Sequence, residues 1–317
     1  MHAVFLDQHT FSEQVSFTVI EAQVDQFTGY PLTNTEQVLA HCQNAEVVIT
    51  NKVVLTKEIL CQLPKLSLIC IAATGTNNVD LLAAKAQGIA VANVSGYSTP
   101  SVTQYVFSQI LAHFSNISQH HNNVAQGKWQ QHHSFCYHGI GSTEIAGKTL
   151  AIIGYGALGK SVAKVAQAFG MKVIVAERPK AAKIRDNRVS FTCALKQADI
   201  VSLHCPENED TINLINSESL ALMKPTAMLV NTARGAIINN MALVNALKNK
   251  QIAYAALDVL DQEPPRPNHP LLQPNIPNLS ITAHIAWASF ESQQRLLDLV
   301  ASNIANYKVG KAVNRII

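Results

Sequence analysis

Ile152-Ile153-Gly154-Tyr155-Gly156-Ala157-Leu158-Gly159 is the stretch that decides the fold. The apolar run Thr149 to Ile153 feeds into Gly-x-Gly-x-x-Gly, a helix-forming stretch follows, and Glu177 stands 23 positions after Gly154 at the end of the next apolar run. Strand, tight turn, helix and a downstream acid are the parts of a dinucleotide-binding βαβ unit. Gly154, Gly156 and Gly159 allow a sharp turn and close approach of backbone to pyrophosphate, whose charge suits a helix N-terminus. Glu177 would accept hydrogen bonds from the ribose hydroxyls and repel a 2′-phosphate, which favours NAD over NADP, although Arg178 beside it pulls the other way.

Outward from this stretch the same rhythm repeats. Downstream lie the apolar runs Lys172 to Ala176, Ile200 to Leu203, Ala227 to Val230, Ala253 to Leu257 and Leu279 to Thr282. Upstream lie Ala3 to Leu6, Val15 to Ile20, Glu46 to Ile49, Leu68 to Ala72 and Ile89 to Ala92. Short apolar runs separated by helical stretches predict parallel α/β sheets, here two of them. Thr56 and Asp80 are expected helix N-caps, and Gly88 a helix stop. Thr99-Pro100-Ser101, with a Ser101 to Gln104 capping box, opens a long helix at a domain crossing. A polar, histidine-rich loop is expected from there to Gly147. Beyond Ser289, Leu296, Leu297, Val300, Ile304 and Tyr307 share one helical face, which returns the chain to the first domain. The expected organisation is α/β with two doubly wound parallel-sheet domains. A Rossmann NAD-binding domain, residues 98–288, is inserted into a flavodoxin-like substrate domain, residues 1–97 plus 289–317.

Composition limits what this fold does. Of the 317 residues 48% are hydrophobic and 14% charged, enough to bury two cores, so disorder is not expected. A net charge of +3 without a basic run argues against nucleic acid and anionic lipid. No apolar run reaches the roughly 20 residues that cross a bilayer. The N-terminus carries Asp7 and lacks the shape of a signal peptide, so a cytoplasmic location is expected. The six cysteines, Cys42, Cys61, Cys70, Cys136, Cys193 and Cys205, form no C-x-x-C pair, and reduced thiols are expected. Six histidines between 113 and 138 lie near Cys136 but match no ligand spacing, so no metal is expected.

Polar residues recur just after successive apolar runs: His204, Thr232, Asp258 and His284. Strand C-termini are where open α/β sheets bind ligands. Arginine supplies a two-pronged carboxylate partner and histidine titrates near neutrality.

Asn231-Thr232-Ala233-Arg234-Gly235, Asp258-Val259 with Glu263-Pro264, and His284-Ile285-Ala286 resemble, in order and spacing, the signatures of the D-isomer-specific 2-hydroxyacid dehydrogenases. Leu203-His204-x-Pro206 and the loop Ala73 to Asp80 extend the resemblance over the whole chain. It implies that Arg234 binds the substrate carboxylate and carbonyl. His284 would be the proton donor, with Glu263 as its partner, and the backbone amides of Thr74 and Gly75 would hold the carboxylate's other side. It further implies that Thr232, Ala233 and Asp258 face the nicotinamide, and that Gly154, Gly156, Ala157, Leu158, Gly159 and Glu177 hold pyrophosphate and ribose. Ala73, Gln104 and the stretch Ala236 to Asn240 depart from the family's commoner residues, which bears on substrate fit. Ala-Glu-Arg-Pro at 176–179 and the substrate loop look most like the glycerate dehydrogenases, also called hydroxypyruvate reductases. The substrate pair expected is therefore hydroxypyruvate and D-glycerate, with glyoxylate or another short 2-oxo acid as the alternative. A homodimer is implied. Two other classes share the fold: NAD-sensing corepressors, separable by turnover, and formate dehydrogenases, which carry glutamine where Glu263 stands.

Overall fold

The computed structural model describes residues 1–276 and 278–317. The chain divides into two compact units, Met1–Ser98 with Trp287–Ile317, and Thr99–Ala286.

In the first unit five parallel strands, β1 (His2–Phe5), β2 (Gln26–Gly29), β3 (Val47–Thr50), β4 (Leu68–Ile71) and β5 (Ala90–Ala92), lie in the order β2-β1-β3-β4-β5. This is the flavodoxin-like order. Both sheet faces are covered, which is why β3, β4 and β5 read as unbroken apolar runs. Alternate residues serve opposite faces. Ala3, Phe5, Val47, Ile49 and Leu68 pack with Leu296, Leu297, Val300 and Ile304 of the helix Phe290–Lys308. Val4, Val48, Ile69 and Ile71 pack with Leu60 and Leu63 on the other side. Each fully buried leucine or isoleucine of that helix contributes about 2 kcal/mol before entropy is subtracted, and this draws the C-terminal segment into the unit. Ser289 caps the helix, accepting from the Ser292 amide.

One expectation is corrected here. The run Val15 to Ile20 is not a strand: Val15 and Ile20 are buried, but Thr18–Glu21 is a short helix. The edge strand is instead β2, whose residues are exposed or half-buried and carry no apolar run.

In the second unit β6 (Thr149–Ile153), β7 (Lys172–Val175), β8 (Ile200–Leu203), β9 (Met228–Asn231), β10 (Tyr254–Leu257) and β11 (Leu279–Ile281) are all parallel, in the order β11-β10-β9-β8-β6-β7. A parallel bridge from Ala176 to Val189 extends the β7 edge. The order reverses between β6 and β8, the crevice where doubly wound sheets bind nucleotides, and the glycine-rich turn leaves β6 there. The helix Thr99–Ser115 opens the unit. Ser101 lies inside its first turn and donates to the Ala286 carbonyl (2.7 Å) rather than standing at the cap. The histidine-rich segment is not all loop: Asn116, in a left-handed conformation, separates the first helix from a second, Ile117–Ala125. Among the described residues, no helix is long and apolar enough to cross a membrane.

Candidate active site

The nucleotide turn is built by exclusion of side chains. Gly154 has φ +98°, and a Cβ there would stand 2.5 Å from the Cys205 amide nitrogen. A Cβ on Gly159 would stand 2.2 Å from the Gly154 carbonyl oxygen. Gly156, by contrast, faces open space and caps the helix Ala157–Ala168, whose first amides have no acceptor inside the helix. Bare backbone, free amides and room beside them fit a dinucleotide's pyrophosphate. A cavity of about 820 Å³ opens beside the turn, lined by Gly154, Gly156, Glu177, Arg178 and His204 among others. Two polar atoms near this sheet end are buried without a partner, Thr232 Oγ1 and His204 Nδ1. Thr232 thus has a hydroxyl to offer a cofactor amide. Burial pushes the His204 imidazole down to about 4, so it is neutral at physiological pH.

Glu177 departs from its sequence reading. Its carboxylate is 3% exposed and already bonded on both oxygens. Oε1 accepts from the Arg178 amide (2.9 Å) and Arg185 Nη2 (2.6 Å), and Oε2 from Arg185 Nε (2.7 Å) and the Arg185 amide (3.3 Å). Arg185 holds the carboxyl far below the usual carboxylate range. Glu177 is therefore not an open acceptor for ribose hydroxyls in this structure.

The second polar cluster gathers at the C-terminal ends of β9, β10 and β11. Asn231, fully buried, pins the turn after β9: its Oδ1 accepts from the Ala233 amide (2.9 Å) and its Nδ2 donates to the Arg234 carbonyl (2.9 Å). Gly235 presses this turn onto the next one, since a Cβ there would fall 1.8 Å from the Leu260 carbonyl carbon. Arg234 stands between these two anchors, its Nη1 donating to the Ala233 carbonyl (2.7 Å). The neighbouring loop carries Glu263, whose Oε1 accepts from the Leu260 amide (2.9 Å) and whose Oε2 accepts from His284 Nδ1 (2.6 Å). His284 and Glu263 side chains are 23% and 35% exposed, so Nε2 chemistry and solvent exchange are both open to the pair.

Asp258 holds this corner rigid. It is 1% exposed, and its carboxylate accepts from the Ile285 amide (2.9 Å), the Ala286 amide (2.8 Å) and Thr282 Oγ1 (2.6 Å). Its carbonyl accepts from the His284 amide (2.8 Å), and Tyr105 bonds Thr282 from behind. These bonds hold His284 at φ +55°, a conformation costly for a non-glycine residue. Burial pushes the Asp258 carboxyl upward against those bonds. The resemblance has Asp258 facing the nicotinamide, whereas its bonds are spent on the loop carrying His284.

In the first unit Thr74 and Gly75 lie on the loop after β4. Thr74 Oγ1 donates to the Val94 carbonyl (2.9 Å) and the Thr74 carbonyl accepts from Asn93 Nδ2 (2.8 Å). Among the described residues no backbone carbonyl takes the Thr74 or Gly75 amide. Sequence reasoning did not find Asn231, Thr282 or Arg185 as working residues. Asn231 carries a legible signal, a polar residue closing an otherwise apolar strand, while Arg185 has no local signal.

Comparisons with known proteins identify the family. Residues 107–286 match the sequence model described as D-isomer specific 2-hydroxyacid dehydrogenase, NAD binding domain. A glycerate dehydrogenase of Methylorubrum extorquens is 42% identical, over 98% of this chain and 97% of its own length. A hydroxypyruvate reductase of Blautia hydrogenotrophica is 36% identical, over 89% and 88%. A solved protein of Thermus thermophilus superimposes with a TM-score of 0.86 at 28% identity, covering all of both chains. The chain belongs to the D-isomer specific 2-hydroxyacid dehydrogenases, and is an NAD-dependent oxidoreductase of that family.

Proposed function

We propose that this enzyme interconverts hydroxypyruvate and D-glycerate, with His284 as acid/base, Glu263 as its partner and Arg234 as the carboxylate anchor. The observation that carries the reading is the 2.6 Å contact between His284 Nδ1 and Glu263, on a loop locked against the Arg234 turn by Gly235. NADH supplies the hydride. Arg234 offers its remaining N–H donors to the substrate carboxylate and polarises the carbonyl, a charge-assisted role that lysine could not reproduce in two-pronged form. Because Glu263 occupies Nδ1, the reacting nitrogen is Nε2: it gives its proton to the carbonyl oxygen during reduction and takes it from the hydroxyl during oxidation. The carboxylate beside the ring fixes the imidazole's orientation, so that Nε2 is the nitrogen left for the substrate.

Thr74 and Gly75 keep the role that the resemblance implies, amide donors to a carboxylate. Ala157 and Leu158 would hold the pyrophosphate by their amides, and Thr232 and Ala233 would meet the nicotinamide. The working form is taken to be a cytoplasmic homodimer. The six unpaired cysteines suit a reducing compartment, and exposed Trp129, Phe135 and Ile140 on one segment suit a partner subunit.

The test is a panel of 2-oxo acids followed by NADH absorbance. Hydroxypyruvate should exceed pyruvate in kcat/KM by about tenfold or more, because a site built for a substrate hydroxyl leaves polar groups unpaired when it is missing. A higher value for pyruvate or phenylpyruvate would remove the glycerate assignment, and a higher value for glyoxylate would establish the alternative.

A further inference from the structure

The cavity beside the glycine-rich turn carries more positive charge than a plain ribose diol requires. Arg178, Lys180, Lys183, Arg185 and Arg188 line it, against the carboxylates of Glu177 and Asp210. Lys180 pairs with Asp210 (3.3 Å), and Arg188 Nε stands 3.9 Å from Glu177. The acid that would normally accept the ribose hydroxyls and turn away a 2′-phosphate is buried and saturated by Arg185. Its charge is answered within 2.7 Å. What remains facing the cavity is cationic.

We propose that this pocket accepts the 2′-phosphorylated dinucleotide NADP(H) as well as NAD(H), and that Arg185 is the residue that decides it. Of the guanidinium's five N–H donors, Nε and one on Nη2 are engaged by Glu177, which leaves both on Nη1 and the other on Nη2. The side chain is 55% exposed, so those donors are within reach of a ligand. One arginine therefore does two things: it cancels the repulsion from Glu177 and presents a fork suited to phosphate oxygens. Arg178 and Lys183 add charge on the same wall. NAD binds through the pyrophosphate cradle without using this wall, so both cofactors are accommodated. The choice of 2-oxo acid plays no part in the inference, and the binding measurement that tests it is separate from turnover.

The experiment is calorimetric titration of the full-length protein with 5′-AMP and with adenosine 2′,5′-bisphosphate, which differ only by the 2′-phosphate. The wild type should bind the bisphosphate about tenfold more tightly, an advantage that shrinks as salt is raised. Arg185→Gln should reduce the advantage to about threefold or less, and should lower the NADPH-to-NADH ratio of kcat/KM in parallel. A double variant, Arg178→Gln with Lys183→Gln, leaves the Glu177–Arg185 pair in place and should reduce the advantage by an intermediate factor. Equal or weaker binding of the bisphosphate by the wild type would overturn the proposal, as would an advantage that survives Arg185→Gln. Should Arg185→Gln fail to fold, Arg185→Lys, which keeps the charge but loses the fork, takes its place, and an undiminished advantage in that variant overturns the proposal.

Discussion

The Arg234–Glu263–His284 corner and the Glu177 pocket sit on the same sheet, and both depend on a carboxylate paired with a nitrogen base. At the corner the carboxylate, Glu263, is part-exposed and spends one oxygen on the backbone and the other on a histidine that keeps its second nitrogen available. In the pocket the carboxylate, Glu177, is buried and taken up by the Arg185 fork and the backbone amides of Arg178 and Arg185. The first pairing orients a reactive group. The second cancels a charge. What separates them is the exposure of the carboxylate and whether its partner keeps a reactive nitrogen, and neither exposure nor pairing follows from the carboxylate's residue type.

Variants that break the corner should have the largest effects. His284→Asn removes the proton donor and should lower kcat/KM for reduction by about 10³-fold, with NADH binding retained. A loss of less than tenfold would mean that another group donates the proton. Gly235→Ala forces a methyl group to within 1.8 Å of the Leu260 backbone. It should cost about 3 kcal/mol or more in urea unfolding, together with most of the activity, because the Arg234 turn must lift. Unaltered stability would show that the two turns are not locked together.

Asp258→Asn preserves shape but turns an NH2 group toward one of two backbone amides that donate there. His284 should lose its set position, and kcat should fall about tenfold to a hundredfold with KM less affected. A change confined to KM for NADH would instead make Asp258 a cofactor contact.

A smaller effect separates the pocket from the corner by acid stability. His204 is buried with its folded-state value pushed down to about 4, below that of the unfolded chain. The unfolded state then binds the extra proton first, so stability is lost as pH falls through about 6.5 toward 4, by about 3 kcal/mol at most. His204→Gln should flatten the urea midpoint across that window, and a slope equal to the wild type's would show that His204 is not its source.

The parts of this molecule that could be read from the sequence are those where one residue's neighbours in the chain are also its neighbours in space. Gly154, Gly156 and Gly159 are such a case, because strand, turn and helix follow one another directly. Buried parallel strands were also legible, since both faces are apolar and the run is continuous. Strand β2 was not, because an edge strand half-open to solvent needs no apolar signal, and Val15 to Ile20 misled because Val15 and Ile20 enter the core from a turn and a helix. Glu263 and His284 were paired only through family likeness, their contact spanning 21 residues. The capture of Glu177 by Arg185 was illegible because the segment between them has no periodic pattern to place the guanidinium.

The most direct test of the central claim is kcat and KM, in both directions, for wild type and Glu263→Gln. Without the carboxylate that holds Nδ1, the ring is no longer fixed with Nε2 toward the substrate. The account predicts that kcat falls about tenfold to a hundredfold in both directions while NADH binding is kept. Unchanged kcat in both directions would contradict the account, because it would mean that Glu263 does not position His284.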